Sequence, residues 1–382
     1  MSELDLACEL LDIRHHLHKI PETGFQEFQT SDYVAGRLAA LGAEVVRGVG
    51  GTGVVGTLRR GAGARTIGLR ADMDALAIPE AGTPPYRSRH EGRMHACGHD
   101  GHMAMVLGAA FLLSRAGGWS GTVRFVFQPA EEPGKGAKAM LDDGLLTRFP
   151  MDEIYGIHNM PGLPLGQFST RAGGINASED NFVIRIQGRG AHAARPHMAI
   201  DPIVTGAEIV LALQSIVARS LDPIEWAVVS VTEFITDGTR NVIPGSATIK
   251  GDTRSYKPEV QALLERRMAA LCSGICAAHG AGLAFEYSHE FEPTVNPPQC
   301  LDAVVRAAVE VAGADRVDGD CRPVMGSEDF GVFLKRIPGN YVQLGAGVDA
   351  LPLHNPGFDF NDSLLVPGAR YFATLARHRL QG

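Results

Sequence analysis

The sequence predicts an α/β protein with a mixed, largely parallel main sheet and an inserted α+β unit of ferredoxin-like order. The chain has 382 residues, more than one compact core usually accommodates, so two domains are expected. Residues 1–177 and 293–382 alternate between apolar strand patterns and helical patterns, as α/β layer proteins do. Residues 178–292 instead give the order βαββαβ, which is complete in itself.

Helices and strands of the first domain can be assigned in order. Residues 3–20 and 27–41 show helical patterns, separated by PETGF and ended by Gly42. Short apolar runs bounded by turn residues then predict strands, among them TIGLRAD and TVRFVFQ, with a helix at 102–115 between them. After the insertion, a helix at 301–312, a strand at YVQLGAG and a final helix after Pro367 return to the same domain.

The inserted segment reads as one alternating unit. Its predicted strands and helices are, in order, NFVIRIQG, DPIVTGAEIVLALQSIVAR, AVVSVTEFI, GSATIKGDTRS, PEVQALLERRMAALCSGICAAHG and LAFEYSHEF. Cys272 and Cys276 lie one helical turn apart there, a spacing that fits core packing better than a metal site.

Composition excludes several classes of function. The net charge of −8 is spread along the chain without a basic run, which disfavours nucleic acid and anionic membranes as partners. The first residues lack the basic start and apolar run of a signal peptide, so a cytoplasmic location is expected. The 6 cysteines are scattered and do not have the spacing of a disulfide framework.

The strongest local signal for chemistry is the segment HACGHDGH at 95–102. Cys97 and His99 are two residues apart, so in an extended segment both side chains reach the same side and can bind one ion. A structural zinc site would need further thiolates nearby, so a catalytic metal site is the better interpretation. A buried thiol beside helix-capping residues is the structural alternative.

A pair of carboxylates follows the next predicted strand. TVRFVFQ runs into Gln128-Pro129-Ala130-Glu131-Glu132, so two adjacent carboxylates come at the carboxyl end of a buried strand. Adjacent side chains project differently, and one can bind metal while the other moves a proton, as metal-assisted hydrolysis requires. The alternative is a pair of first-turn acids favoured by the helix dipole.

The strand pattern EIYGIHN ends at His158, YVQLGAG leads through a short loop to His354, and TIGLRADMD brings Asp72 and Asp74 to the end of another strand. The carboxyl edge of an open α/β sheet is where such proteins place their active sites. The two aspartates can orient ligating histidines without binding metal themselves. One thiolate, three imidazoles and one carboxylate, with a bridging water, suit two divalent ions about 3.5 Å apart better than one.

These segments resemble the metal-dependent aminoacylase/carboxypeptidase superfamily, specifically its amidohydrolase branch of hippurate hydrolases, N-acyl-L-amino-acid amidohydrolases and plant auxin-conjugate hydrolases. The likeness runs from Arg14-His15-His16-Leu17-His18 to His354-Asn355-Pro356, and Cys97 marks the branch. The motifs that carry it are RADMDAL at 70–76, MHACGHDGH at 94–102, QPAEEPGKGAKAM at 128–140, GIHN at 156–159, GRGAHAARPH at 188–197, TRNVIP at 239–244 and MGSEDF at 325–330.

The resemblance implies a role for each matching residue. It gives a dinuclear-metal hydrolase domain whose two metal ions (Mn, Zn, Ni or Co) are held by Cys97, His99, Glu132, His158 and His354. It makes Glu131 the general base and residues 178–292 a lid and dimerisation domain. It assigns His192 to the tetrahedral oxyanion, and Asn241 and Arg254 to the substrate carbonyl and α-carboxylate.

The expected activity is therefore hydrolysis of N-acyl-L-amino acids of the hippurate type, by a homodimer or higher homo-oligomer. A dipeptidase or an N-acetyl-diaminopimelate deacetylase would use the same constellation. A metal-binding protein without catalysis is the alternative from another class, and Glu131 argues against it, because binding alone needs no second carboxylate beside a ligand.

Overall fold

The structure, a computed structural model, describes residues 3–381, so positions 1, 2 and 382 of the predicted first domain lie outside the described residues. The α-helices are α1 (Glu3–His18), α2 (Phe28–Ala40), α3 (His99–Arg115), α4 (Gly136–Asp142), α5 (Leu145–Arg148), α6 (Pro202–Arg219), α7 (Pro258–His279), α8 (Pro298–Ala312), α9 (Gly331–Leu334) and α10 (Leu365–Arg379). The strands are β1 (Glu44–Val49), β2 (Gly53–Arg60), β3 (Thr66–Asp72), β4 (Gly121–Gln128), β5 (Glu153–Pro161), β6 (Phe168–Ser169), β7 (Gly173–Asn176), β8 (Glu179–Gln187), β9 (Ala191–His192), β10 (Ala227–Thr236), β11 (Val242–Ile243), β12 (Ser246–Ser255), β13 (Gly282–Phe291), β14 (Thr294–Asn296), β15 (Val317–Asp318) and β16 (Gly339–Gly347).

The chain divides into two compact units. The first contains the residues up to Ile175 together with Val295–Pro323 and the residues from Asp329 on. The second contains Asn176–Thr294 and the short segment Val324–Glu328. That short segment, which overlaps the MGSEDF motif at 325–330, was expected in the first domain.

The first unit is built on an eight-stranded mixed sheet, which confirms the predicted fold class. The strand order is β1-β2-β4-β3-β5-β16-β6-β15. The central strands β4, β3, β5 and β16 pair in parallel, whereas β1, β2 and β4 pair antiparallel at one side. Apolar side chains cover both faces: one core includes residues of α1, α3, α8 and α10, and the other includes residues of α4 and α9.

Parallel pairing brings the functional segments to one edge. Asp72 at the end of β3 pairs with Gln128 at the end of β4, and His158 of β5 pairs with Gln343 of β16. Since the carboxyl ends of parallel strands share an edge, the loops after β3, β4 and β16 start there together. The helix predicted at 102–115 begins earlier, at His99, because Gly98 in the left-handed region (φ +89°) starts it.

The second unit has the predicted βαββαβ order, formed by β8, α6, β10, β12, α7 and β13. Its sheet is antiparallel with strand order β10-β12-β8-β13. The apolar residues of α6 and α7 pack with alternate residues of the strands in one core. Cys272 and Cys276 belong to that core, 0% and 2% exposed, as the packing interpretation expects.

Helix α6 is unusually apolar. Its 18 residues are long and apolar enough to cross a membrane by length and composition, and 33% of that window is buried within the structure. The side chain of Asp201 caps its first turn by accepting from the N–H groups of Ile203 and Val204, and one face packs on the sheet. Its remaining apolar residues therefore form an outward face of this unit.

Candidate active site

Cys97 and His99 reach the same region by way of a sharp turn. Cys97 lies in a bend, Gly98 has a left-handed backbone, and His99 is the first residue of α3. A Cβ atom on Gly98 would come within 2.4 Å of Asn159 Oδ1, so glycine is required by both conformation and space. The expectation that the two residues share an extended segment is therefore wrong, because the turn and helix start direct them instead.

Glu131 and Glu132 lie in a loop held by Asp74. The two oxygens of Asp74 accept from the N–H groups of Glu131 and Glu132, both at 3.0 Å. The following helix α4 begins only at Gly136. Neither glutamate thus occupies a first helical turn, which removes the helix-dipole alternative for this pair.

His99 and His158 present the same ring nitrogen to the site. His99 donates from Nδ1 to the carbonyl oxygen of Asp74 at 2.8 Å, and His158 donates from Nδ1 to that of Asn159 at 2.7 Å. Neutral rings bonded in this way have their lone pair on Nε2, the arrangement that metal-binding histidines adopt. His158 lies within β5, which continues to Pro161 beyond the predicted end of the strand.

His354 lies in the loop between β16 and α10. Its φ of +63° is in the left-handed region, which costs a residue other than glycine about 1–2 kcal/mol. Its N–H donates to the carbonyl oxygen of Ala96 at 2.9 Å, which joins this loop to the Cys97 segment. Its Nε2 lies 3.4 Å from Glu132 Oε2.

The structure brings all five predicted metal ligands and the predicted base together. Cys97 Sγ lies 3.4 Å from His158 Nε2, and His99 Nε2 lies 3.9 Å from Glu132 Oε1. Three overlapping groups each have their ligand atoms within 4.8 Å of one another: Cys97 with His99 and His158, Cys97 with Glu132 and His354, and His99 with Glu131 and Glu132.

Two buried atoms at this cluster fit a cation. Among the described residues, His99 Nε2 and Glu132 Oε1 are buried without a hydrogen-bond partner, although buried polar atoms are normally paired. Burial lowers the pKa of His99, but Asp72, Asp74 and Glu132 outweigh it and raise that pKa to about 10. The surroundings of His99 thus stabilise positive charge. A divalent ion would supply that charge, since it could bind both the lone pair on His99 Nε2 and the facing carboxylate oxygen of Glu132.

The other two histidines have different electrostatic environments. Burial, followed by the neighbouring His102, lowers the pKa of His158 well below its usual value. The hydrogen bond with Glu132 raises the pKa of His354. The imidazole of His158 is therefore uncharged, the form in which a histidine binds a metal ion.

His102 and Asn159 are supporting residues to which the sequence assigned no role. His102 donates from Nδ1 to Asp72 Oδ1 at 2.7 Å, and its Nε2 lies 3.2 Å from the N–H of Asn159. Arg70 donates to Asp72 Oδ2 at 2.7 Å, so Asp72 is fixed from both sides. Asp72 thus orients His102 directly, whereas His99 is oriented by the carbonyl of Asp74.

A second set of supporting contacts comes from α1. His18 faces Asp100 Oδ2 through Nδ1 at 2.8 Å, and Arg14 lies 3.4 Å from the same oxygen. The helical pattern alone predicts a polar helix face with local packing for His15, His16 and His18 of α1. His18 is instead 1% exposed and contacts the residue after His99. The motif RHHLH was the available signal, but its spacing does not identify the partner.

His192 and Asn241 lie together in the second unit. Strands β9 and β11 pair antiparallel, and the N–H of Ala193 donates to the carbonyl oxygen of Asn241 at 3.0 Å. The N–H of Ala194 donates to His192 Nδ1 at 3.0 Å, so the proton of the neutral ring is on Nε2. Both side chains are exposed, and His192 presents a donor to the outside of this unit.

Arg254 lies on β12, on the sheet face opposite α6 and α7. It donates from Nε to Asp252 at 2.7 Å and pairs with Glu179 at 2.9 Å. Its Nη1 is also 3.4 Å from the hydroxyl of Ser327, a residue of the MGSEDF motif. The guanidinium is thus held in place and remains 23% exposed.

A family model described as peptidase family M20/M25/M40 matches residues 68–378. Hippurate hydrolase of Campylobacter jejuni is 41% identical over 374 residues, which cover 98% of this chain and 97% of that protein. Thermostable carboxypeptidase 2 of Saccharolobus solfataricus is 38% identical over 376 residues, covering 96% of this chain and 94% of that protein.

A solved structure is similar over the same extent. The YXEP protein of Bacillus subtilis, described as a dinuclear metal binding peptidase from the M20 family, superposes with a TM-score of 0.87. It is 33% identical, and the match covers 99% of both chains. The likeness therefore includes the segments of the cluster and those of His192, Asn241 and Arg254.

Proposed function

This chain belongs to peptidase family M20/M25/M40, and we propose that it hydrolyses the amide bond of N-acyl-L-amino acids to a carboxylic acid and an amino acid. The observation that carries the proposal is the meeting of six side chains from four separate segments at one sheet edge, with two buried, unpartnered atoms among the described ones. The hippurate hydrolase relative supports the substrate class.

Cys97, His99, Glu132, His158 and His354 would hold two divalent ions. The dinuclear description of the Bacillus subtilis neighbour supports the number. Manganese, zinc, nickel and cobalt all accept this mixture of thiolate, imidazole and carboxylate ligands. When bound, such ions lower the pKa of a water molecule and polarise a carbonyl group.

Glu131 has the role of general base. Its side chain is 6% exposed, and its ligand oxygen is within 4.8 Å of those of His99 and Glu132. It accepts a proton from the attacking water and passes that proton to the nitrogen of the departing amino acid. The amino acid therefore leaves with an uncharged amino group. Burial keeps bulk water from competing for that proton.

His192, Asn241 and Arg254 would act on the substrate. The Nε2 proton of His192 suits donation to the developing oxyanion, a contact that strengthens only in the transition state. The side-chain amide of Asn241 can donate to the substrate carbonyl. Arg254 would bind the α-carboxylate with two parallel hydrogen bonds, which a guanidinium provides and an ammonium does not.

A homodimer through the second unit is the proposed assembly. On α6 the side chains of Ile203, Val204 and Leu211 are 43%, 54% and 74% exposed. On β10, at the edge of the sheet, Phe234 and Ile235 are 40% and 50% exposed. An edge strand with one side open, beside an exposed apolar helix face, suits a second copy of the same surface. A cytoplasmic location remains a prediction from the sequence.

The test is hydrolysis by wild type and by Glu131→Gln, each loaded with metal. Loss of the base is expected to lower kcat by about 10²- to 10⁴-fold. Metal content should stay at the wild-type level, because the proposed ligands are intact. Glu91→Gln, at an exposed position, is the matched control and should leave both quantities unchanged. Substantial turnover by Glu131→Gln with full metal content would refute the assignment of the base.

The substrate class is tested with hippurate, N-acetyl-methionine, simple dipeptides and N-acetyl-diaminopimelate, by measuring released amine. The carboxypeptidase relative makes peptides the second candidate, since they too carry an amide bond to an amino acid with a free carboxylate. Preferred turnover of hippurate or N-acetyl-methionine supports the proposal. Preferred turnover of dipeptides or of N-acetyl-diaminopimelate assigns one of the alternatives.

A further inference from the structure

Glu27 is a buried carboxylate that immediately precedes α2 and contacts the loop of the general base. Its side chain is 0% exposed. Its Oε1 accepts from the N–H of Ala130 at 2.8 Å, and its Oε2 accepts from the hydroxyl of Thr52 at 2.5 Å. We propose that Glu27 is a positioning residue that fixes the direction of Glu131 through the backbone of Ala130; this inference rests on the proposed role of Glu131.

Ala130 needs an external hold. Its φ of +48° is in the left-handed region, which is unfavourable for any residue with a Cβ atom. A Cβ atom on Gly24 would come 3.1 Å from Ala130 Cβ, so the segment before α2 packs closely against this turn. The hydrogen bond from Ala130 to Glu27 and this contact together keep the turn that separates the directions of Glu131 and Glu132.

Two buried carboxylates share the three consecutive N–H groups of the loop. Glu27 accepts from Ala130, and Asp74 accepts from Glu131 and Glu132. Asp74 thus holds both glutamates, whereas Glu27 acts one residue earlier, where the chain turns. Loss of Glu27 should therefore let the loop rotate at Ala130 while Asp74 still retains Glu132 near the proposed ligands.

Capping of α2 does not account for Glu27. It occupies the N-cap position of α2, yet within the described residues its side chain makes no cap hydrogen bond. That role belongs to Glu22, whose oxygens accept from the N–H groups of Gln29 and Thr30 at 3.2 and 2.9 Å. Glu22 thus contacts helix α2, whereas Glu27 contacts the loop that carries Glu131.

The chemistry of the Glu27 site suggests a conservative variant. Burial raises the pKa of Glu27 to about 7, so a neutral side chain fits the site. Glutamine can accept from Ala130 with its oxygen and donate to the Thr52 hydroxyl with its nitrogen, which preserves both bonds. Alanine removes both and leaves two buried groups unpaired.

The experiment compares Glu27→Ala, Glu27→Gln and Glu22→Ala in the metal-loaded protein. Glu27→Ala should lower kcat by about 10- to 100-fold with KM and metal content retained, as for other residues that orient a catalytic group. Glu27→Gln should restore kcat. Glu22→Ala should lower the melting temperature but leave kcat close to wild type. In the Glu131→Gln background, Glu27→Ala should cause no further loss, because the two residues act as one unit.

A second readout does not depend on activity. Hydrogen–deuterium exchange in a peptide spanning residues 128–136 should be faster in Glu27→Ala than in wild type and unchanged in Glu27→Gln. Unchanged exchange in Glu27→Ala would overturn the positioning role even if the protein hydrolysed none of the substrates. Equal losses of kcat in Glu27→Ala and Glu22→Ala would also overturn it, since that would indicate general destabilisation.

Discussion

The candidate metal centre in the first unit and the substrate-binding candidates in the second differ in how far the fold buries them. Cys97 and His99 are 7% and 0% exposed, and their partners come from distant segments of the chain. His354 is the exception among the proposed ligands, with 53% of its side chain exposed. His192 and Asn241 are exposed on two short strands, and Arg254 is 23% exposed. The proposed metal ligands have all their partners within the first unit. His192 and Asn241 instead present their side chains to the outside of the second unit.

This difference indicates what each set requires. A buried polar atom without a hydrogen-bond partner is unfavourable unless an ion is bound to it. The two unpaired acceptor atoms among the described residues of the centre, His99 Nε2 and Glu132 Oε1, therefore indicate a bound cation. Exposed donors are satisfied by water, so their geometry does not identify a ligand. Changes of the proposed ligands should therefore affect metal content, whereas changes in the second unit should affect substrate binding or turnover and leave metal content unchanged.

The largest expected effect is at the buried centre. Cys97→Ala removes a proposed thiolate ligand and should lower metal content and activity together, by more than the 10- to 100-fold typical of supporting residues. Metal analysis after dialysis and hippurate hydrolysis measure the two quantities. Cys321→Ala is the matched control, because Cys321 is a buried cysteine of the same unit, 6% exposed. Full metal content in Cys97→Ala would show that the thiol is not a ligand.

A smaller, more selective effect is expected in the second unit. Arg254→Lys should raise KM for hippurate by about 10- to 100-fold, because an ammonium cannot replace two charge-assisted hydrogen bonds to a carboxylate. KM for hippuramide, which lacks the carboxylate, should not change, and neither should metal content. Arg185→Lys, on β8 in an exposed ion pair, is the control. Equal effects of Arg254→Lys on both substrates would contradict carboxylate binding.

The same difference in burial explains what the sequence predicted. Apolar runs that end in Asp72, Gln128 and His158 predict which segments meet at one edge of the sheet. The position of the candidate metal centre could therefore be predicted from the sequence. His192 and Arg254 became candidates only through family motifs. As an exposed loop histidine and an ion-paired arginine, they have no distinguishing pattern in one sequence.

The supporting residues were not predictable for another reason. Glu27, His18 and Asp100 act through partners that lie far away in the chain, such as Ala130, and a spacing rule cannot identify such pairs. The turn at Gly98 was also missed, because the left-handed conformation of a single glycine overrides the alternation expected of an extended segment. Local patterns locate elements and edges, whereas the hydrogen bonds that orient a site are set by tertiary packing.

His18 gives the smallest expected effect and a test of that support from α1. Burial lowers the pKa of its imidazole, but hydrogen bonds to Asp100 and Glu80 outweigh burial and raise it to about 9 from 6.5. The charged ring therefore stabilises the fold fully below pH 6.5, and this stabilisation is lost as the pH rises through 9. Since each pKa unit corresponds to about 1.4 kcal/mol, the contribution is at most about 3.5 kcal/mol.

His18→Gln should accordingly be less stable than wild type at pH 6, and the difference should shrink at pH 9.5. The chain has 2 tryptophans, so Trp226→Phe leaves Trp119 as a fluorescent probe of the first unit in urea unfolding. His16→Gln is the control. Burial lowers the pKa of His16, so its ring has no stabilising charge to lose as the pH rises, and the effect of this substitution should not shrink between pH 6 and 9.5. A stability difference for His18→Gln that stays constant from pH 6 to 9.5 would mean that the ring supports Asp100 without its charge.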